Sequence, residues 1–339
     1  MARQAPRTIH AGAFAVELES VTKTFKQWQR SASLKDIGGN LFRPGTRDVD
    51  ALKDVSLRVS KGEFVAYAGP NGAGKSTTMK LLAGMLLPTS GEISVLSLSP
   101  GKQRQALMSR LGILFGNRTE LWWDHPVIQS FEWKKVVWDI PDKEYRDNLA
   151  MVTELLDIGG LLKTFARELS LGQRMRADLA MLLLHSPSLI LLDEPTLGLD
   201  VVAKRQMIDF LKRINREDNV TIMVTSHDMD DLEEMAQRML MISGGKIAYD
   251  GDFDGLRKAT GDLTHVVVRT ENGQVPELEV ATLLSSEKGA HEFEIDLEKI
   301  PVKSLMKALS EMDGICDVEI SKAPIEKVIA RLYEGWKEA

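Results

Sequence analysis

Gly69-Pro-Asn-Gly-Ala-Gly-Lys-Ser-Thr77 follows the short apolar run Phe64-Val-Ala-Tyr-Ala68 and opens a helical pattern from about Ser76 to Ala83. Its spacing fits G-x-x-x-x-G-K-[ST] at Gly69, Gly74, Lys75 and Ser76. Backbone N–H groups converge on phosphate oxygens only where no side chain intervenes, which accounts for the glycines. Lys75 is then suited to neutralise β- and γ-phosphates, and Ser76 to offer its hydroxyl to magnesium. Strand, glycine loop and helix in this order are the context that the motif requires, and they predict an α/β fold.

Downstream, Leu189-Ile-Leu-Leu-Asp-Glu194 is an apolar strand pattern ending in two carboxylates. Strand ends are where α/β sheets meet their ligands. Asp193 is expected to hold a hydrated magnesium ion, and Glu194 to polarise an attacking water. His227 comes just after the apolar run Thr221–Thr225. A lone histidine is more often structural, but its position after the next strand makes it a candidate contact to the γ-phosphate and the water.

The composition bounds the rest. With 339 residues, the chain can hold one large domain and a smaller one. Its 43 basic and 49 acidic residues give a net charge of −6, which argues against a nucleic-acid partner gripped by a basic face. The single cysteine, Cys316, excludes an internal disulfide and fits a reducing compartment. No apolar run reaches the roughly 18 residues needed to span a bilayer. Ala11–Val16 is too short for a signal peptide's apolar core. A cytosolic chain is expected, with any membrane part supplied by another polypeptide.

Residues 1–14 read as a loose tail. Strand patterns begin at Ala15–Leu18 and resume at Ala51–Val59, with a basic insertion at 26–48 between them. A helical region covers about 118–178, with Val127–Val137 and Tyr145–Leu156 clearest, and a further helix at Met175–Leu184. Leu189–Leu192 and Thr221–Thr225 read as buried parallel-type strands around a helix at Val202–Ile214. Met239–Ile242 and Lys246–Tyr249 flank Gly244-Gly245 as a hairpin. Residues 15–254 therefore form the main domain. Residues 255–339 form a small α+β domain with strands at Val266–Arg269, Glu292–Asp296 and Val318–Ser321, helices at Ser304–Glu311 and Glu326–Tyr333, and no catalytic motif.

Between the phosphate loop and the carboxylates lies Leu169-Ser-Leu-Gly-Gln173. Together the three segments resemble the ATP-binding subunit of an ABC transporter over about Val16 to Asp254. The resemblance implies a P-loop ATPase domain with a RecA-like core, an antiparallel β subdomain and a helical subdomain. Gly69, Pro70, Asn71, Gly72, Ala73, Gly74, Lys75, Ser76 and Thr77 resemble Walker A, and Leu189–Glu194 resembles Walker B with its catalytic glutamate. Pro195–Asp200 is similar to the D-loop and Thr225-Ser-His227 to the H-loop, while Phe25 matches the aromatic that stacks on adenine. Ser170, Leu171, Gly172 and Gln173 match the signature motif, usually LSGGQ, whose serine and glycine amides bind ATP held by the other subunit. The resemblance thus implies ATP and Mg2+ as cofactors and a head-to-tail homodimer or heterodimer with two sandwiched ATP molecules. Glu194, His227 and Lys75 carry the catalytic roles. Two positions depart from the pattern. Leu171 replaces the first signature glycine, and Asn117 stands where the family has the Q-loop glutamine, a ligand to magnesium or water; its shorter side chain implies a longer or water-bridged contact.

Arg118-Thr-Glu-Leu-Trp-Trp-Asp-His-Pro126 follows, with Trp133 and Trp138 close behind. Tryptophans at helical spacing are by default core. Adjacent Trp122 and Trp123 cannot both face one core from a regular helix or strand, so one is expected at a partner surface. In the family this segment receives the coupling helices of an integral membrane permease, which implies a peripheral location on the cytosolic face. Leu121–Val127, Leu169–Arg176 and the trailing domain resemble the ABC-2 type export subfamily. The insertion is similar to that of polysaccharide or lipid-linked glycan exporters. It is either a solvated loop or a contact to permease or anionic head groups. A soluble or regulatory ABC ATPase not engaged in transport is the alternative from another class. The motifs read ATP and leave the cargo open.

Overall fold

The computed structural model describes residues 12–28, 46–116 and 119–259, then 263–271, 273–276, 281–296, 302–310, 312, 314–323, 325, 327–329 and 332. The chain divides into two units, Met1–Asp250 and Gly251–Ala339, so the division falls before Gly251 rather than after Asp254.

In the first unit, β1 (Phe14–Trp28) runs antiparallel to β2 (Thr46–Ser60). The pairs Lys26–Asp48, Gln27–Arg47 and Trp28–Thr46 continue this ribbon, so both ends of the 26–48 insertion are strand and its middle lies outside the described residues. Next come β3 (Phe64–Ala68), α1 (Lys75–Leu82) and β4 (Ser90–Val95), the last pairing with β1 to complete a three-stranded sheet. All five residues of β3 are buried, as a strand covered on both faces requires. The chain continues through α2 (Arg104–Met108), β5 (Leu111–Phe115), α3 (Val127–Val137), α4 (Asp142–Leu155) and α5 (Leu171–Leu183). Helix α5 starts four residues ahead of Met175 because Ser170 and Gln173 form a reciprocal capping box that satisfies its first amides. The remaining elements are β6 (Leu189–Asp193), α6 (Val201–Glu217), β7 (Thr221–Thr225), α7 (Met229–Met235), β8 (Arg238–Ser243) and β9 (Lys246–Gly251).

The main sheet has the order β5-β6-β7-β3-β8-β9, and β5, β6, β7, β3 and β8 are parallel. Parallel alignment brings the C-terminal ends of β3, β6 and β7 to one edge, with Asp193 in register with Thr225. Helix α1 packs Met79, Leu81 and Leu82, all fully buried, into a core shared by both sheets with Leu18, Leu52, Tyr67, Leu191 and Leu240. Each such side chain contributes about 1.5–3 kcal/mol of burial free energy, which holds the glycine loop firmly between β3 and α1.

The second unit contains α8 (Phe253–Ala259), β10 (Leu263–Thr270), β11 (Ala281–Glu287), β12 (Ala290–Asp296), α9 (Val302–Ser310) and β13 (Ile315–Lys322). Its antiparallel sheet has the order β11-β12-β10-β13. Val266, Val268, Phe293 and Ile295 pack on Leu305 and Leu309 of α9. Of the helix expected over Glu326–Tyr333, residues 327–329 and 332 are described and are helical; the rest lies outside the described residues.

Candidate active site

The glycine loop is shaped by close backbone neighbours. A Cβ on Gly69 would stand 2.3 Å from the Ile242 carbonyl oxygen of β8, and one on Gly74 would stand 2.7 Å from the Ala51 oxygen of β2. Both glycines also adopt positive φ, +154° and +118°. Lys75, only 7% exposed, donates to the loop carbonyls of Gly69 at 2.5 Å and Pro70 at 3.3 Å. Burial lowers its pKa, while the negative charges of Glu194 and Asp193 work to raise it.

Five side chains, from α1 and from the ends of β6 and β7, meet beside the loop. The Ser76 hydroxyl donates to Asp193 Oδ2 at 3.0 Å, and Thr225 donates to Asp193 Oδ1 at 2.6 Å. The Glu194 amide donates to both the Thr225 carbonyl and its hydroxyl oxygen, each at 3.1 Å. These bonds hold Glu194 at φ +60°, a left-handed conformation that costs a non-glycine residue about 1–3 kcal/mol. His227 Nε2 lies 2.7 Å from Glu194 Oε1. Lys75, Ser76, Asp193, Glu194 and His227 thus converge. Thr225 joins them as a bridging hydroxyl that the sequence alone did not single out, since a threonine ending a strand carries no linear signal of what its hydroxyl will meet.

The other candidates lie elsewhere. Ser170 and Gln173 are occupied with each other at the start of α5, Gln173 N to Ser170 Oγ at 3.3 Å and Ser170 N to Gln173 Oε1 at 2.9 Å. Leu171 Cδ2 would be 3.0 Å from a Cβ on Gly198, and a Cβ on Gly172 would be 3.2 Å from Ala203. Asp200 caps α6 by accepting from the Ala203 amide at 2.8 Å. Phe25 on β1 is 38% exposed, with the Lys23 ammonium 5.1 Å from its ring centre. Asn117 lies outside the described residues; its neighbour Gly116 donates its amide to the Asp193 carbonyl at 2.9 Å.

A family model described as ABC transporter matches residues 52–197. A putative ABC transporter ATP-binding protein of Clostridium acetobutylicum is 30% identical over 268 residues, which cover 78% of this chain and 93% of that protein. The chain belongs to the ABC transporter ATP-binding proteins. A methionine import ATP-binding protein, MetN 1 of Bacillus thuringiensis, is 31% identical over 72% of this chain and 73% of its own length. Among solved structures, the dimeric post-hydrolysis state of the ATP-binding cassette MJ0796 with ADP and Pi is 25% identical, with a TM-score of 0.58 over 70% of this chain and 98% of that one. This ABC ATPase therefore has the P-loop cassette fold, binds and hydrolyses ATP, and serves as the ATP-binding subunit of an ABC transporter; cassettes of its kind dimerise. No helix among the described residues is long and apolar enough to cross a membrane.

Helix α5, which begins with the signature-like residues, also carries a buried carboxylate. Asp178 is 6% exposed, and its Oδ1 accepts from the Thr119 hydroxyl at 2.9 Å and the Glu120 amide at 3.1 Å. Burial pushes its pKa up from 3.8 to about 7, opposed by those two hydrogen bonds and by the Arg174 charge, and reinforced by the Glu120 charge. A raised folded-state value means that stability from this group is complete below 3.8 and lost as pH rises through about 7. Asp178→Asn keeps the acceptor oxygen and removes the titration. Its melting temperature relative to wild type is expected to be higher at pH 8 than at pH 5. A difference that does not change with pH would contradict this.

Proposed function

We propose that this ATPase subunit powers an ABC-2 type exporter from the cytosolic face of the membrane, as a head-to-tail dimer docked on separate permease subunits. The observation that carries the ATPase part of this reading is the continuous linkage Ser76–Asp193–Thr225–Glu194–His227 beside the phosphate loop. Lys75 and the backbone N–H groups of the Gly69–Thr77 loop, all but that of Pro70, bind the ATP phosphates, and Phe25 stacks on adenine. Ser170, Leu171, Gly172 and Gln173 meet ATP held by the partner, as does Asp200, and Asn117 contacts magnesium or its water.

Ser76 and Asp193 fit Mg2+: two hard oxygens lie 3.0 Å apart at the loop, and among the described residues no cluster of three or more acidic, His or Cys ligands forms a closed cage. Mg2+ takes one or two protein oxygens and leaves the rest of its shell to phosphate and water. When bound, it supplies charge neutralisation at the phosphate oxygens. Glu194 then accepts a proton from the attacking water, while the His227 ring keeps its carboxylate oriented.

The permease contact is assigned to Trp122 and Trp123, which are 38% and 49% exposed. Trp122 stands in a ring cluster with His125 and Trp133, at 5.3 and 5.5 Å between centroids. Rigid, exposed aromatics of this kind dominate docking energies. Trp122→Ala is expected to weaken association with the permease by roughly tenfold or more while leaving the ATPase rate within about twofold. Unchanged complex assembly would refute the contact. The transport reading as a whole is tested by copurifying the full chain with a polytopic protein encoded beside its gene. Recovery of the ATPase alone would favour a regulatory ATPase outside transport.

A further inference from the structure

The loop bearing the exposed tryptophans is fastened to the helix bearing the signature-like residues at several points. Leu171, Arg174 and Asp178 are three and four residues apart, so they share one face of α5. Asp178 accepts from Thr119 and Glu120, and the Arg174 guanidinium lies 4.6 Å from the Trp123 ring centre. The Thr119 hydroxyl accepts from the Leu121 amide at 3.0 Å, and the Trp122 amide donates to Ser130 at 2.9 Å. The segment leading into the signature joins the same loop: Ala166 N donates to the His125 carbonyl at 3.0 Å, and Arg167 N to the Trp123 carbonyl at 3.1 Å. Arg167 and Asp124 also pair at 2.6 Å.

The Arg167–Asp124 pair is exposed, where an ion pair contributes little. Asp178 is buried and accepts two donors from the loop on one oxygen, and leaving such donors without their acceptor is costly.

We propose that Asp178 is a positioning residue for ATP-driven dimerisation: it pins Thr119–Trp123 to the signature helix, so that the tryptophan loop and Ser170–Gly172 move as one body. This rests on the reading that Ser170–Gly172 meet ATP held by the partner subunit. A shift of the Trp122–Trp123 loop then displaces the signature residues, because the loop cannot slide along α5 without breaking both bonds to Asp178.

The test uses the full chain carrying Glu194→Gln, in which ATP is bound without turnover. Dimer formation is followed by light scattering against ATP concentration, and binding of a fluorescent ATP analogue to dilute monomer is measured in parallel. Adding Asp178→Ala is expected to raise the ATP concentration for half-maximal dimer by roughly tenfold, the loss expected when buried donors are left without their acceptor. Thr119→Val, which removes a single donor at the loop, is expected to shift it severalfold and keeps the test open if Asp178→Ala does not fold. Asp178→Asn retains the acceptor and is expected to restore dimerisation. Monomer affinity for nucleotide should be unchanged in all three. Unaltered dimerisation in both Asp178→Ala and Thr119→Val, or an equal loss of monomer binding, overturns the inference. A Glu194→Gln parent that forms no ATP-dependent dimer overturns the sandwich reading and this inference with it; a parent that dimerises normally isolates the result to Asp178.

Discussion

Glu194→Gln is expected to leave ATP binding intact and to cut turnover by about 10²–10⁴-fold, the range over which positioned general bases act. The glutamine amide is nearly isosteric, and its oxygen can still face His227 Nε2, which lies 2.7 Å from Glu194 Oε1. The backbone is held independently of the side chain, through the Glu194 amide bonds to Thr225, so the left-handed conformation persists. The lost property is the ability to take a proton from water. Phosphate release at saturating ATP, measured beside binding of a fluorescent ATP analogue, separates the two effects. Hydrolysis at the wild-type rate would remove Glu194 from the chemistry.

Lys75→Ala acts on binding instead, with an expected loss of ATP affinity of about a hundredfold, consistent with removing charge-assisted hydrogen bonds of roughly 1.5–3 kcal/mol each. Asp193 and Glu194 are close enough to Lys75 to oppose the lowering of its pKa by burial. Without the ammonium, the triphosphate loses a positive charge that offsets its repulsion by those two carboxylates. Arginine is a poor substitute, because its planar fork is bulkier than a point charge and Lys75 is 7% exposed. Among the described residues the Lys75 ammonium bonds to the Gly69 and Pro70 carbonyls of its own loop, so the fold is expected to survive its loss. Calorimetric titration with ATP gives the measurement; affinity within threefold of wild type would sink the assignment.

Much of this ATPase was legible in its residues because its chemistry is local. Phe64–Ala68, Val127–Val137 and Thr221–Thr225 are strand, helix and strand over the spans that periodicity and apolar run length predict. Strand β11 was not legible. As an edge strand, six of its seven residues are exposed and it carries no alternation of apolar and polar residues. The long β1–β2 ribbon was missed for a related reason: Lys26 and Gln27 pair with Asp48 and Arg47 at exposed positions where no buried face imposes a pattern.

The sequence by itself determined the phosphate loop and the paired carboxylates. Each depends on local features within a few residues: glycine backbone freedom at 69–74 and a strand end at 193. Only the tertiary structure decided which distant groups complete them. Setting β7 between β6 and β3 in parallel register brings Thr225 to Asp193 and Asp193 to Ser76, residues 32 and 117 positions apart. Packing α5 against the loop after β5 likewise joins Asp178 to Thr119 across 59 positions. Such bonds follow from the register of strands and the packing of helices, which are collective properties of the folded chain and leave no trace in the spacing of its motifs.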